Sequence, residues 1–462
     1  MLTLWRKIAV VIFAVVIFDD MKFYDRKTEL AKLEEMRRLA FDVHSQLTVV
    51  TGRRRIGKTK LIVKSCDEGP TVYLFVSRSN EVALCDDFCG VVRSELGVFV
   101  PEGMRRFAEF FEYLMNLGAT MKFNLIIDEF QEFANVNSSI FSEVQNIWDR
   151  YKDSTHVNFI ASGSVYTLMH KIFMEYDEPL YGRCDAVLRI KPFATSVLKE
   201  ILADYNPDYT PDDLLALYAV TGGVPKYIEY LMDRRAVTVK AIFDRVFEEN
   251  SIFLEEGSIL LIQEFGKKYG NYFAILSAIA SGCNVVADIA NAVGENNIGG
   301  MLVRLEDDYG LITKMRPVFA KERSQTVRYE IADNFLRFWF RYVYRSQSLL
   351  QMGKNSEMEA IALVDYPTYS GKVLEKYFKA KLAEEGDFRE IGSWWQPRAG
   401  ANACEIDIVA IYLSGKKALV AEVKRQKRNY DHKLFMAKVD RLRTSALSPY
   451  DIEPRLLTLD DM

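Results

Sequence analysis

Residues 52–59, GRRRIGKT, fit the pattern G-x-x-x-x-G-K-[ST] of a phosphate-binding loop. In such a loop, backbone N–H groups point at phosphate oxygens, and the helix that follows adds the positive end of its dipole. We expect the lysine to reach the β- and γ-phosphates of a nucleotide and the threonine hydroxyl to bind Mg²⁺. The predicted nucleotide-binding residues are Gly52, Arg53, Arg54, Arg55, Ile56, Gly57, Lys58 and Thr59.

A pair of carboxylates follows an apolar segment further along the chain, in FNLIIDEFQ at 123–131. The apolar residues predict a short buried strand that ends at Asp128 and Glu129. Beside a phosphate-binding loop, Asp128 would complete the Mg²⁺ shell, and Glu129 would orient and deprotonate the attacking water. An acidic loop after a strand is the alternative interpretation, and the upstream loop disfavours it.

Two further side chains are candidates for contact with a γ-phosphate. The strand predicted at 157–161 ends in Ser162-Gly163-Ser164, where a serine, which we assign as Ser164, could sense the phosphate or cap the next helix. Arg183 precedes the next predicted strand and could reach a γ-phosphate of its own chain or of a neighbouring subunit. Pairing with a surface carboxylate explains Arg183 equally well.

The C-terminal part of the chain carries a second set of carboxylates together with a lysine. EIDIVA at 405–410 and ALVAEVK at 418–424 predict two strands of a hairpin, so that Asp407, Glu422 and Lys424 share one side of the sheet. Asp407 and Glu422 could bind one or two Mg²⁺ ions, and Lys424 could stabilise charge on phosphorus. This set is typical of a metal-dependent phosphodiesterase, and two amphipathic strands with surface charges are the alternative.

A basic segment lies beside these carboxylates. Residues 416–443 contain ten Lys or Arg against three Asp or Glu, which predicts a track for the phosphate backbone of DNA. A solvated helix face explains part of the same pattern. Because the whole chain has a net charge of −4, any contact with DNA must come from such a local patch.

The arrangement of predicted elements around these motifs indicates an α/β protein of several domains. Strands that alternate with helices predict a parallel sheet covered on both faces, with its ligand at the carboxyl ends of the strands. We predict a P-loop nucleotide domain at 21–195, a helical lid at 196–265, a winged-helix domain at 266–345 and a second α/β domain at 365–462. The third helix of the winged-helix segment is acidic, which makes it a poor reader of the major groove.

Residues 1–20 contain an unbroken apolar run of eleven residues, which is too short to span a bilayer. We interpret this segment as a translation-start artefact, with an N-terminal membrane anchor as the alternative. The six cysteines are scattered and the four histidines do not cluster, which indicates reduced thiols and disfavours a zinc site. We therefore expect a cytoplasmic protein without a membrane partner.

Several motifs together resemble the archaeal-type ATPases of the AAA+ superfamily. They are FxxR at 23–26, GRRRIGKT, LIIDEFQ, LYGR at 180–183 and GGVPKY at 222–227. The tail, with EIDIVA and AEVK, is similar to the PD-(D/E)XK, restriction-endonuclease-like domain found at the C-terminus of many of these proteins. The resemblance implies that ATP and Mg²⁺ are bound, and its matching residues are Lys58, Thr59, Asp128 and Glu129.

Two functions follow from these observations. The first is an ATP-hydrolysing enzyme that acts on DNA and carries a metal-dependent, nuclease-like C-terminal domain. The second is a nucleotide-dependent regulatory switch whose C-terminal domain binds DNA or protein without cutting. Both functions require ATP, and both leave assembly into a homo-oligomer open.

Overall fold

The computed structural model describes residues 21–265, 269–321, 326–396 and 404–462. The start artefact or membrane anchor predicted for residues 1–20 lies outside these ranges. Within them, none of the helices is both long enough and apolar enough to cross a bilayer.

The first part of the chain forms a parallel sheet with helices on both faces. Its strands pair in the order β2-β3-β4-β1-β5. They are β1 Gln46–Thr51, β2 Thr71–Phe75, β3 Phe123–Asp128, β4 Val157–Gly163 and β5 Ala186–Arg189. The helices are α1 Lys27–Asp42, α2 Lys58–Ser65, α3 Glu81–Leu96, α4 Phe107–Leu117, α5 Phe133–Val136, α6 Ile140–Tyr151 and α7 Tyr166–Met174.

The central strands of this sheet are buried along their whole length, because helices cover both of its faces. In the parallel register, the last residue of β1, Thr51, lies opposite Gly163 of β4, and Ile127 of β3 lies opposite Ala161. The carboxyl ends of β1, β3 and β4 therefore meet at one edge of the sheet. The predicted α/β fold with a parallel sheet is confirmed.

A group of helices follows the parallel sheet and packs against it. These helices are α8 Thr195–Tyr205, α9 Pro211–Thr221, α10 Pro225–Asp233, α11 Val239–Phe247 and α12 Ile252–Phe265. Helix α9 begins with a capping box, in which Thr210 and Asp213 exchange side-chain and backbone hydrogen bonds. Helix α10 begins at Pro225, whose fixed φ suits the first turn of a helix.

The middle of the chain contains short helices, a hairpin and an aromatic helix. They are α13 Tyr269–Ala280, α14 Val286–Val293, α15 Gly299–Val303, β6 Ile312–Met315, β7 Arg328–Ile331 and α16 Asn334–Phe338. Helix α15 ends at Val303, where the backbone widens into a π-helix at Arg304–Asp308. The order of helices and hairpin agrees with a winged helix, and that assignment stays a prediction.

A long helix leads into a second, smaller sheet at the C-terminus. Its strands pair in the order β11-β10-β9-β8, with β10 and β11 parallel and the other neighbours antiparallel. The elements are α17 Gln347–Gln351, α18 Asn355–Glu385, β8 Phe388–Trp395, β9 Glu405–Tyr412, β10 Lys417–Val423, α19 His432–Arg443 and β11 Asp451–Leu457. A C-terminal α/β domain is therefore confirmed, while the predicted boundaries of all domains stay predictions.

Polar contacts tie the C-terminal domain to the helices that follow the parallel sheet. Near the end of α18, Glu384 accepts hydrogen bonds from the backbone N–H groups of Thr195 and Ser196, at 2.6 and 3.1 Å. Just after β10, Arg425 forms an ion pair of 2.8 Å with Asp212 at the start of α9. Helices α8 and α9 and the C-terminal domain are thus joined by charged groups in addition to a shared apolar core.

The close approach of α12 to the aromatic segment after α16 gives a stability prediction. A Cβ atom built on Gly257 would lie 2.1 Å from Cδ2 of Trp339, a residue that is fully buried. We expect Gly257→Ala to destabilise the fold by about 2 kcal/mol or more, because the indole has no room to move. Denaturant midpoints would measure this, with Gly371→Ala of α18 as the control.

Gly371 is also helical, but a Cβ at this position meets nothing within 4 Å. We expect Gly371→Ala to be neutral or stabilising by about 0.5–1 kcal/mol, because alanine loses less backbone freedom than glycine on folding. Equal shifts of the midpoint in the two variants would contradict the tight contact at Trp339.

Candidate functional site

The loop between β1 and α2 takes the shape of a phosphate-binding loop. Gly57 adopts a left-handed conformation with φ of 88° immediately before α2, a conformation that favours glycine. A Cβ atom on Gly52 would lie 2.8 Å from the backbone oxygen of Ile190, so the start of the loop also requires glycine. The side chain of Ile56 is buried, so it fixes the middle of the loop against the core.

Lys58 lies at the centre of the loop and is almost fully buried. Its Nζ donates hydrogen bonds to the backbone oxygens of Gly52 and Arg53, at 2.8 and 3.3 Å. Burial lowers the pKa of Lys58, and the nearby carboxylates of Glu129 and Asp128 oppose that effect. The ammonium is therefore held among the loop's own carbonyl groups, where a phosphate would offer it a stronger acceptor.

Asp128, at the end of β3, accepts hydrogen bonds from hydroxyl groups of the neighbouring elements. Its Oδ2 accepts hydrogen bonds from Thr59 Oγ1 at 3.1 Å and from the Tyr73 hydroxyl at 2.6 Å. Its Oδ1 accepts a hydrogen bond from Ser162. Burial raises the pKa of Tyr73, and the charge of Asp128 adds to the shift, so the phenol keeps its proton and remains a donor.

The oxygens of Thr59 and Asp128 lie side by side, which fits a magnesium site. Mg²⁺ prefers oxygen ligands and is usually held by one or two protein groups, with water and nucleotide phosphates completing its shell. Thr59 and Asp128 would be those protein groups, as the sequence predicts. The ion would draw the phosphate oxygens towards the loop and offset their charge.

Glu129 follows Asp128 in a left-handed conformation with φ of 55°, which turns its side chain away from that of Asp128. Glu129 Oε2 accepts hydrogen bonds from Ser164 Oγ at 2.8 Å and from the side-chain amide of Gln131. Ser164 therefore contacts the carboxylate predicted to act as base and does not cap the following helix, for which Val165 is the N-cap. Gln131 and Tyr73 also belong to the site, although their sequence context did not indicate it, whereas Ser162 lies in the turn where either serine was a candidate.

The side chains of two loop arginines turn away from the phosphate side of the loop. Arg55 forms an ion pair of 2.9 Å with Glu256, a fully buried residue of α12. Arg53 pairs with Asp333, the N-cap of α16, and donates a hydrogen bond of 3.2 Å to the Tyr227 hydroxyl. The backbone of these residues shapes the loop, while their side chains bind it to the helices around it.

The glycine-rich corner at 222–225 also contacts the loop. Gly222 and Gly223 have φ of 58° and 79°, and Pro225 Cγ lies 3.9 Å from the position of a Cβ on Gly57. The backbone N–H of Lys226 donates to the backbone oxygen of Arg55 at 3.4 Å. The corner between α9 and α10 therefore lies against the phosphate-binding loop.

Arg183 lies on the surface of its own chain. It forms an ion pair of 3.2 Å with Asp149 and donates a hydrogen bond of 2.8 Å to the backbone oxygen of Tyr181. Of the two interpretations of Arg183, pairing with a surface carboxylate is the one seen within a single chain. Contact with the γ-phosphate of a neighbouring subunit stays a prediction.

The C-terminal carboxylates and lysine are brought together between β9 and β10. Asp407 Oδ2 accepts a hydrogen bond of 2.9 Å from the backbone N–H of Val423, and Lys424 Nζ donates one of 2.9 Å to Glu422 Oε1. Burial raises the pKa of Asp407, and the charge of Glu422 adds to the shift. The predicted placement on one side of the sheet is therefore seen.

A second lysine, Lys438 of α19, also binds Glu422, with distances of 3.2 and 3.0 Å from its Nζ to the two carboxylate oxygens. On α18, Glu375 pairs with Lys372 at 2.9 Å, and burial raises the pKa of Glu375 to about 7. Each of these carboxylates thus has a cation beside it. In the part of the chain that the structure describes, no three metal-binding side chains form a cluster that could hold an ion.

Both oxygens of Glu422 accept hydrogen bonds from lysines, and the metal site predicted from Asp407 and Glu422 stays a prediction. Asp407, Glu422, Lys424 and Lys438 together form what we call the lysine–carboxylate cluster.

Comparisons with known proteins agree with this description. Residues 23–231 match the model of a family described as ATPase domains predominantly from Archaea. Residues 339–434 match a family of archaeal and bacterial proteins of unknown function. An uncharacterized protein of Methanocaldococcus jannaschii is 30% identical over 417 residues, which cover 87% of both chains.

A solved structure shares the fold. It is a Walker-type ATPase of Pyrococcus abyssi, which is 20% identical and superposes with a TM-score of 0.53. The superposition covers 69% of this chain and 96% of the other. The fold of the superposed part of the chain therefore recurs in a protein of low sequence identity.

The position of Glu129 gives a prediction for catalysis. We expect Glu129→Gln to bind ATP with little change but to hydrolyse it at least about a hundredfold more slowly, because an amide cannot take a proton from water. Steady-state turnover and equilibrium binding of ATP would measure the two effects. Hydrolysis at the parent rate would show that Glu129 is not the base.

Proposed function

Because the chain belongs to the family of ATPases found predominantly in Archaea, we propose that it couples ATP hydrolysis to the binding of DNA by its C-terminal domain. Hydrolysis of ATP follows from the family. The action on DNA is our proposal, and it is supported by the charges exposed beside the lysine–carboxylate cluster. In this scheme Lys58 binds the phosphates and Glu129 takes a proton from the attacking water.

The observation that carries the proposal is a group of exposed cations after β10. Lys427, Arg428 and Lys433 are exposed and form no ion pair within the residues that the structure describes. Most other cations of residues 416–443 are engaged, for example Arg425 with Asp212. Cations without a protein partner are the ones that can bind phosphates and release counterions from DNA.

This segment lies next to the lysine–carboxylate cluster, since it connects β10 with α19. Lys424 and Lys438 of that cluster are paired with Glu422, so the exposed cations would supply the phosphate contacts. Arg425, between the cluster and the exposed cations, pairs with Asp212 of the lid. Bound DNA would therefore lie beside a residue in contact with the lid, which gives ATP turnover a physical route to the DNA.

Cleavage of DNA is the second candidate, favoured by the placement of Asp407, Glu422 and Lys424 on one side of the sheet. Both oxygens of Glu422 accept from lysines, so the arrangement favours binding over cleavage. We expect no nicking of supercoiled plasmid in Mg²⁺ or Mn²⁺ beyond that of an Asp407→Ala variant. Nicking that disappears in both Asp407→Ala and Lys424→Ala would contradict this and establish the nuclease.

DNA binding itself is tested by its dependence on salt. We expect the double variant Lys427→Ala/Arg428→Ala to bind DNA more weakly than the parent. The plot of log affinity against log salt should become less steep by about 2 in magnitude, because each phosphate contact contributes about 0.9 to that slope. Fluorescence anisotropy with a labelled duplex would measure the slope.

The matched control is Lys27→Ala/Arg38→Ala, which removes two exposed charges from α1 of the nucleotide domain. The control should bind DNA with the slope of the parent. Equal changes of the slope in both double variants would show that the effect comes from net charge alone, and this would contradict the proposed DNA-binding surface.

A further inference from the structure

Three consecutive arginines in the phosphate-binding loop raise the question of what each one binds. Arg53 and Arg55 are engaged by carboxylates of the surrounding helices, Asp333 and Glu256 respectively. Their guanidinium groups therefore hold the loop in place and are not available to a phosphate unless those pairs break. Arg54, between them, differs from both.

Arg54 is half-buried and has no ion-pair or hydrogen-bond partner among the described residues. It lines a cavity of about 590 Å³ at the start of the loop. Ser164, which holds the carboxylate of Glu129, lines the same cavity. Arg54 and the serine that binds Glu129 therefore line one cavity.

Arg54 is also close to the lysine that binds phosphate. Lys58 Nζ donates a hydrogen bond of 3.3 Å to the backbone oxygen of Arg53, the residue immediately before Arg54. Two cations in one loop, with no carboxylate pairing Arg54, are suited to a highly charged anion such as a triphosphate.

One carboxylate that lines the same cavity is a candidate ion-pair partner for Arg54. Glu264 of α12 lines the same cavity, but its Oε2 accepts a hydrogen bond of 3.3 Å from Thr167. Burial raises the pKa of Glu264 to about 7, so near neutral pH much of this group carries a proton and has no charge to offer. Arg54 therefore remains free for a ligand.

We propose that Arg54 is a catalytic residue of ATP hydrolysis, whose guanidinium binds the γ-phosphate from within the same chain. In the reaction, the oxygen of water forms a bond to the γ-phosphorus as the bond to the β–γ bridging oxygen breaks. The electron pair leaves with ADP, and the proton of water passes to Glu129. Arg54 stabilises the negative charge that develops on the phosphoryl oxygens and the leaving oxygen.

With Arg54 in this role, hydrolysis would not require an arginine from a neighbouring subunit. Arg183 is paired with Asp149 on the surface and cannot serve the site of its own chain without breaking that pair. An arginine in the loop itself is already in place when ATP binds.

The experiment compares Arg54→Ala and Arg54→Lys with the parent and with Arg38→Ala, an exposed α1 residue of the same charge. We expect Arg54→Ala to lower kcat by about a hundredfold or more, as loss of an arginine at transferring phosphate does. ADP affinity should stay within about threefold, because ADP lacks the γ-phosphate. The kcat of Arg54→Lys should lie between those of Arg54→Ala and the parent, and the kcat of Arg38→Ala should equal that of the parent.

A second measurement separates chemistry from folding. ADP with aluminium fluoride imitates the transferring phosphoryl group, so Arg54→Ala should lose at least about thirtyfold in affinity for this complex while it still binds ADP. Parent-like kcat and affinity for the complex would overturn the proposal. A raised KM with unchanged kcat would also overturn it, because Arg54 would then only anchor ATP.

Discussion

The buried ion pair between Arg55 of the phosphate-binding loop and Glu256 of α12 is the contact on which the arrangement of the site depends. The pair spans 2.9 Å, and Glu256 also accepts a hydrogen bond of 3.0 Å from the buried Tyr227 hydroxyl. Removing one partner would leave an uncompensated buried charge, which typically costs about 3–5 kcal/mol. Loop and helices are therefore expected to move together when nucleotide binds.

Because ion pairs hold the side chains of two loop arginines, neighbouring residues of the loop have different roles. With Arg55 bound to α12 and Arg53 bound to the N-terminus of α16, the loop is closed by helices from two later segments of the chain. Its backbone and Lys58 remain for phosphate, and the strand ends supply Asp128 and Glu129 from the other side. Helix α9 in turn contacts the C-terminal domain through Asp212 and Arg425. Charged contacts thus join the loop to α12 and α16, and they join α9 to the domain proposed to bind DNA.

Local sequence predicts the groups whose positions depend on one loop or one strand. The loop spacing identified Lys58 and Thr59, and the apolar strand before Asp128 placed the two carboxylates at the correct edge of the sheet. The sequence could not reveal Tyr73 or the partners of the loop arginines, because those contacts depend on strand register and on helices about 170 or more residues away. Lys438 was likewise hidden, since only the docking of α19 brings it to Glu422.

The most direct test of the account is the rate of ATP hydrolysis by the purified protein, measured at low salt with and without duplex DNA. We expect measurable ATP turnover without DNA, because the groups that bind phosphate and activate water lie in one chain. We expect faster ATP turnover when DNA is added, and this increase should disappear at high salt because the phosphate contacts weaken. Turnover that does not respond to DNA at any salt concentration would contradict the proposed coupling.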